Sequence, residues 1–279
     1  MRTSVLTLLT LLAFAGNSIL CRTALGARTI DPYSFTTIRI ASGALVLLPF
    51  LRPSHAAARS SSLRAGAALF VYALAFSLAY VSLDAGTGAL LLFGTVQITM
   101  IGTGLARGER PSLAQAAGLA LAVIGVVLLV APGVTAPAPA GAALMTLAGA
   151  AWGVYSLLGR GAPDPRAATA RNFAVALAPA ALVTLLAPLL LPPPTALQPR
   201  GVLLAATSGA LTSGLGYVLW YAALRGHTAT SAAIVQLAVP VLAALGGVAL
   251  LDEGFTGRLA LASVLTLGGV ALAVARPRP

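Results

Sequence analysis

Lysine is absent from this 279-residue chain, and acids are scarce: six Asp and Glu stand against 17 Arg. Charged residues make up only 8% of the composition and hydrophobic residues 58%. A soluble domain carries about 25% charged residues, so no water-facing surface can be built here and lipid must be the solvent. The net charge of +11 does not read as a nucleic-acid footprint, because the arginines stand singly at the edges of apolar runs, a pattern of membrane orientation. With a single cysteine, Cys21, no internal disulfide can form. The acids Asp31, Asp84, Glu109, Asp164, Asp252 and Glu253 all fall at the ends of apolar runs or between them, as do His55 and His227. Proton-driven pumps keep an ionisable group within a span, so coupling through a central carboxylate is not expected. There is no metal-ligand spacing, no glycine-rich phosphate loop and no Ser/His/Asp set within a run. Neither a catalytic residue, a metal site nor a cofactor is therefore expected.

What the chain does have is apolar length. A helix needs about 20 apolar residues to cross a bilayer, and runs of that size lie near 4–24, 33–51, 65–83, 86–106, 112–131, 140–159, 168–191, 201–224, 228–250 and 257–275. Backbone groups in hydrocarbon must be satisfied within the segment or in a closed barrel. Continuous runs exclude the alternating pattern of a barrel, so the fold class is an all-α integral membrane protein of ten transmembrane helices. The breaks carry turn signals, such as Asp31-Pro32, Arg52-Pro53, Pro163-Asp164-Pro165 and Pro192-Pro193-Pro194. Residues 52–64, rich in Arg and Ser, read as the longest connection. The first run, with Arg2 before it and Ala13-Phe14-Ala15 within it, also fits a signal peptide; the repeat described next argues against that.

With both termini in the cytoplasm, twelve arginines fall at inner ends and five (Arg22, Arg28, Arg39, Arg200 and Arg258) at outer ends. The positive-inside rule favours that orientation, in a bacterial-type inner membrane.

The chain reads as two copies of one unit, residues 1–133 and 134–279. Phe14, Ser18 and Arg22 in the first span match Trp152, Ser156 and Arg160 in the sixth. Thr37 and Arg39 match Thr169 and Arg171, Phe76 and Tyr80 match Tyr217 and Tyr221, and Glu109 matches Glu253. The matches keep one order along both halves. Five spans per unit is an odd number, so the second copy enters the membrane from the opposite side. Such inverted repeats place a substrate site at the midplane between the copies.

Asn17 through Arg22, Thr37-Ile38-Arg39, Gly108-Glu109-Arg110, Leu224-Arg225, Thr228 to Ser231, and Val239-Pro240-Val241 running to Glu253 together resemble the EamA-type branch of the drug/metabolite transporter superfamily. Val96 departs from the pattern, which often has proline there. The resemblance implies ten helices and a central cavity lined by spans one, three, four, six, eight and nine, with five and ten as outer supports. It implies export or exchange of small metabolites and does not choose among amino acids, nucleosides, sugars and drugs.

The candidate cavity-lining, substrate-binding residues are Asn17, Phe76, Gln97, Trp152, Tyr155, Tyr217 and Gln236. An amide facing lipid is costly, so Asn17, Gln97 and Gln236 should face protein or a cavity, where each offers two donors and an acceptor. Helix–helix hydrogen bonding is the alternative. Tyr72, Phe76 and Tyr80 recur every fourth residue, on one helix face; such rings can stack on a ligand or mark the interface. Arg39 and Arg171 lie about a turn inside their spans, where snorkelling to the interface is expected; pairing with Asp31 and Asp164, or contact with a substrate anion, are the alternatives. These residues point to a transporter of small, neutral or zwitterionic metabolites such as amino acids, embedded in a lipid bilayer, with a monomer among the states allowed. The alternatives are a membrane-embedded lipid-modifying enzyme and a non-transporting membrane subunit.

Overall fold

The computed structural model describes residues 3–52, 56–106, 112–131, 136–159, 162, 164–190, 197–224, 236 and 238–274. Among the described residues all regular structure is helical. The helices are α1 (Thr3–Gly26), α2 (Pro32–Leu47), α3 (Ala56–Ala79), α4 (Ala85–Ala106), α5 (Leu113–Val130), α6 (Pro139–Gly159) and α7 (Pro165–Leu190). The eighth, α8, runs through Pro199–Thr207, a π-helical stretch Ser208–Leu215 and Gly216–Leu224; α9 (Ala238–Leu251) and α10 (Gly257–Val274) follow.

Seven helices, α1 to α4 and α6 to α8, are long and apolar enough to cross a membrane. The apolar stretches Ala116–Leu129, Ala238–Leu251 and Gly257–Gly269 of α5, α9 and α10 are shorter than the ten full spans expected from the sequence. Arg107, Glu109, Arg110, Arg160, Arg225, His55, His227, Thr228 to Ser231, Arg276 and Arg278 lie outside the described residues. The connection expected over 52–64 is helical from Ala56 onward, since Ala, Arg and Leu are good helix formers.

Leucines face outward: Leu8, Leu12, Leu45, Leu182, Leu185, Leu203, Leu245 and Leu261 are exposed. Apolar surface on this scale is tolerable only where lipid covers it. Tyr72, Tyr80, Tyr155, Tyr217, Trp152, Ser18, Ser77, Ser208 and Ser213 are buried instead, the reverse of a soluble protein.

Two helix starts share one device. Asp31 Oδ1 accepts the Tyr33 and Ser34 amides at 3.0 and 2.9 Å, with Pro32 beginning α2. Asp164 Oδ1 accepts the Arg166 and Ala167 amides at 3.1 and 3.2 Å, with Pro165 beginning α7. An acid at the N-cap followed by proline satisfies orphan donors and pre-sets the first turn.

α1 packs on α8 and α9, while α6 packs on α3 and α4. α2 lies on α7 and α8, α3 on α7, α4 on α9, and α5 on α10. The last pair is close: a Cβ on Gly269 would meet Gly118 O at 2.6 Å. Small residues let membrane helices approach in this way.

Candidate functional site

One cavity lies among α1, α3, α4, α6 and α8, lined by Phe14, Asn17, Ser18, Tyr72, Phe76, Leu92, Phe93, Trp152 and Tyr217. Its free volume is about 10 Å³, at the threshold for a single water molecule. The Trp152 ring centre stands 4.8 Å from that of Tyr72 and 4.7 Å from that of Tyr217. Phe14 meets Trp152 edge-on at 6.0 Å. The approach of α6 to α4 that places Trp152 depends on Gly149, where a Cβ would come within 2.7 Å of Leu92 O.

Asn17 is the polar residue at the cavity wall on α1. Its Oδ1 accepts from Ser208 Oγ at 2.7 Å and from Thr212 Oγ1 at 3.1 Å, leaving Nδ2 facing Tyr72 Oη at 3.5 Å. Both hydroxyls belong to the π-helical stretch. In an α-helix, Ser208 and Ser213 would be turned roughly 140° apart; i→i+5 winding brings residues five apart toward one face. Ser208 and Thr212 thereby serve Asn17 while Ser213 serves Arg39.

Arg39 is the main correction to the sequence reading. It does not snorkel: it is 1% exposed. Nε donates to Ser213 Oγ at 3.0 Å, and Nη2 donates to the Tyr72 and Tyr217 hydroxyls at 3.0 and 3.2 Å. The guanidinium lies 5.2 Å from the Tyr72 ring centre and 5.0 Å from that of Phe76. The physical reason is depth. Arg39 is the eighth residue of a helix that begins at Pro32, so at 1.5 Å per residue it lies about 10 Å into the span. The alternative pairing with Asp31 is not made, because that carboxylate caps α2. Arg171, the sequence counterpart, donates instead to Ser62 Oγ at 3.2 Å, and Asp164 caps α7. The Ala167 and Arg166 amides hold the Asp164 carboxyl below its usual range.

The end of the bundle where α1 finishes and α4 begins carries an ionic cluster. Arg22 Nε donates to Glu253 Oε1 at 3.1 Å and Nη2 to Asp84 Oδ1 at 3.2 Å. Glu253 also accepts the Ala85 amide at the start of α4, at 2.8 Å to Oε2. The turn after α9 makes this reach possible: Asp252 adopts φ 54°, and the Glu253 amide donates to Gly247 O at 3.2 Å.

The family model of the EamA-like transporters matches residues 1–131 and 139–275. The chain belongs to the EamA-like transporter family. This EamA-like chain is 54% identical over 276 residues to a Pseudomonas aeruginosa protein named Uncharacterized protein PA1977, covering 98% of this chain and 95% of that one. It is 28% identical over 294 residues to an Archaeoglobus fulgidus protein named Uncharacterized transporter, covering 99% and 98%. A solved crystal structure shares the fold with a TM-score of 0.66 at 23% identity, over 98% of both chains. The family is one of membrane transporters, and the many apolar helices agree with a multi-pass membrane protein.

Within this EamA-like fold, Asn17, Phe76, Trp152 and Tyr217 of the sequence candidates line the one cavity described. Tyr155 stacks behind Trp152, their ring centres 5.2 Å apart. Gln97 is buried on α4, its Nε2 without a hydrogen-bond partner, and is not among the lining residues. Gln236 is buried just before α9; no described residue of α9 lines the cavity, although span nine was expected to. Phe14, Ser18, Tyr72, Leu92 and Phe93 are lining residues missing from the sequence candidates. Three left a signal: Tyr72 shares the Phe76 stripe, and Phe14 and Ser18 align with Trp152 and Ser156 when the two halves of the sequence are compared.

Proposed function

We propose that this protein is an alternating-access transporter of small metabolites such as amino acids or related compounds, working as an exporter or exchanger in a bacterial-type inner membrane. The observation that carries the reading is that one cavity draws its walls from both halves. Phe14, Asn17, Tyr72 and Phe93 come from the first, and Trp152 and Tyr217 from the second. A site between two units is what rocking of one unit against the other would expose by turns. With free space of about 10 Å³, a metabolite enters only if the units separate.

Two units, 1–133 and 134–279, are proposed to form inverted repeats with both termini cytoplasmic. Helix packing supports this. Exchanging α1 with α6, α2 with α7, and so on turns the contacts of α1 with α8 and α9 into those of α6 with α3 and α4. It turns α2 on α8 into α7 on α3, and leaves the α2–α7, α4–α9 and α5–α10 pairs as they are. The family match in two stretches and the shared Asp-Pro caps point the same way. Arg22 bridging to Glu253 is then a latch between the units at the outer end.

The test is counterflow in proteoliposomes with radiolabelled amino acids and related small metabolites. Exchange of at least one compound is expected, at equal initial rates with and without an imposed pH difference. Absence of any flux from folded protein would favour a lipid-modifying enzyme or a non-transporting subunit. Accumulation that requires the pH gradient and vanishes in Asp84→Asn would refute the uncoupled mechanism.

A further inference from the structure

Among the described residues Arg39 has no counter-charge: no carboxylate lies within 4.0 Å of its guanidinium, and it takes no part in the ion pairs that Arg22 makes with Asp84 and Glu253. Its partners are three neutral hydroxyls, of Ser213, Tyr72 and Tyr217. Nη1 is buried with no hydrogen-bond partner among the described residues. A guanidinium offers five donors in a planar fork, so two of the five point at nothing that accepts.

A neutral glutamine would pin the two tyrosines at a smaller cost than a buried cation, because an ionised group within a bilayer is expensive and marks function by default. The tyrosines held by Arg39 are themselves cavity walls. Arg39 therefore stands one hydroxyl layer behind a cavity whose described lining carries no charged side chain. Asn17 adds to the imbalance: its oxygen is occupied by Ser208 and Thr212, and its amide nitrogen is the group left toward Tyr72. This wall has N–H donors and positive charge in excess, and among the described residues no anionic group lines the cavity to balance them. Among the other lining residues, Phe14, Leu92, Phe93 and Trp152 are apolar or aromatic.

We propose that the ligand of this cavity is an organic monocarboxylate, whose carboxylate meets the Tyr72 and Tyr217 hydroxyls with Arg39 as counter-charge and whose apolar remainder lies against Phe14, Phe93 and Trp152. The inference rests on the transporter reading above and sharpens its substrate class. Arg–carboxylate recognition is strong because it is charge-assisted and can be two-pronged, and one arginine balances one negative charge. An ammonium on the same ligand finds ring faces, so a zwitterion fits and a cation without a carboxylate does not. This replaces the expectation of a neutral metabolite and keeps that of a zwitterion.

The test uses the full chain with Trp220→Phe, which leaves Trp152 as the only tryptophan and so a reporter inside the cavity. Straight-chain and phenyl-terminated monocarboxylates, from acetate to 4-phenylbutyrate, are titrated at pH 7 beside their own primary amides, and the Trp152 fluorescence is read. At least one carboxylate should bind 10-fold or more tightly than its amide. Arg39→Gln should abolish the difference, and Arg39→Lys should keep part of it. The comparison of acid with amide in the Arg39 protein stands even where a variant fails to fold. Equal affinities, tighter amides, or no response to any probe overturns the proposal. Flux of the same probes in proteoliposomes separates the two readings. Carboxylate preference without flux removes the transporter and leaves the anion site, whereas flux of amides as fast as carboxylates removes the anion site and leaves the transporter.

Discussion

Arg22 and Glu253 stand 231 residues apart in the chain, yet Arg22 Nε donates to Glu253 Oε1 at 3.1 Å. The same carboxylate accepts the Ala85 amide, so an acid from the turn after α9 caps α4. One side chain thus ties α1, α4 and the α9–α10 turn together at one end of the bundle.

Burial pushes the Glu253 carboxyl above its usual range, opposed by the Ala85 amide. A carboxyl raised in the folded state contributes stability that is present below its unfolded pKa and lost as pH rises through the folded one. The thermal midpoint of the unmodified protein minus that of Glu253→Gln should therefore grow as pH is lowered from 7 toward 4. Midpoints in detergent across that range check it; a flat difference, or one that shrinks on acidification, contradicts the burial argument.

Gly209 on the π-helical stretch faces α2 so closely that an added methyl would overlap the Arg39 carbonyl and Ser42 Oγ. Gly209→Ala should destabilise by about 1–3 kcal/mol, the usual range for overpacking. Gly102→Ala should be neutral or slightly stabilising, because nothing lies within 4 Å of that Cβ. Thermal midpoints of the two variants side by side decide; equal losses would mean that α2 and α8 can slide apart freely.

Asn17→Cys, Trp152→Cys and Tyr217→Cys, in a Cys21→Ser background, should react slowly with a small hydrophilic thiol reagent, because the cavity has room for about one water. Adding Arg22→Gln breaks both ion pairs of the Arg22 cluster and should speed the reaction several-fold. Gln97→Cys, placed off the cavity, should gain less. Rates unchanged by Arg22→Gln would show that the cluster does not gate the cavity.

Reporter fusions after Arg59 and at Pro279 should both read cytoplasm, from the twelve-to-five division of arginines. A periplasmic signal from either position would overturn the proposed orientation, and opposite signals from the two would overturn the inverted repeat as well.

Several of these features are legible before folding. The aromatic stripe of α3 follows from four-residue spacing, and Asn17 from the cost of an amide in lipid. Arg39 was readable in part: counting from Pro32 gives its depth, but not that Asp31 would be taken by the α2 amides. Gln97 and Gln236 look equivalent to Asn17 in sequence, and only the lateral placement of α4 and α9 separates them. The π-helical winding of Ser208–Leu215 has only Gly209, Gly214 and the neighbouring hydroxyl residues as a sequence trace.

The sequence by itself determined the solvent, the helical class and the family, because hydropathy is a local sum and a span can be counted residue by residue. Tertiary structure decided which faces meet: that Tyr72 and Tyr217 converge on Arg39, and that Glu253 reaches Ala85. The reason lies in the medium. Apart from the aromatic stripe of α3, these helices are apolar nearly all round, so no periodic pattern marks the buried face, and lipid supplies no hydrophobic drive to choose one. Close approach of glycines such as Gly149 and Gly209, and polar partners far apart in the chain, set the packing instead.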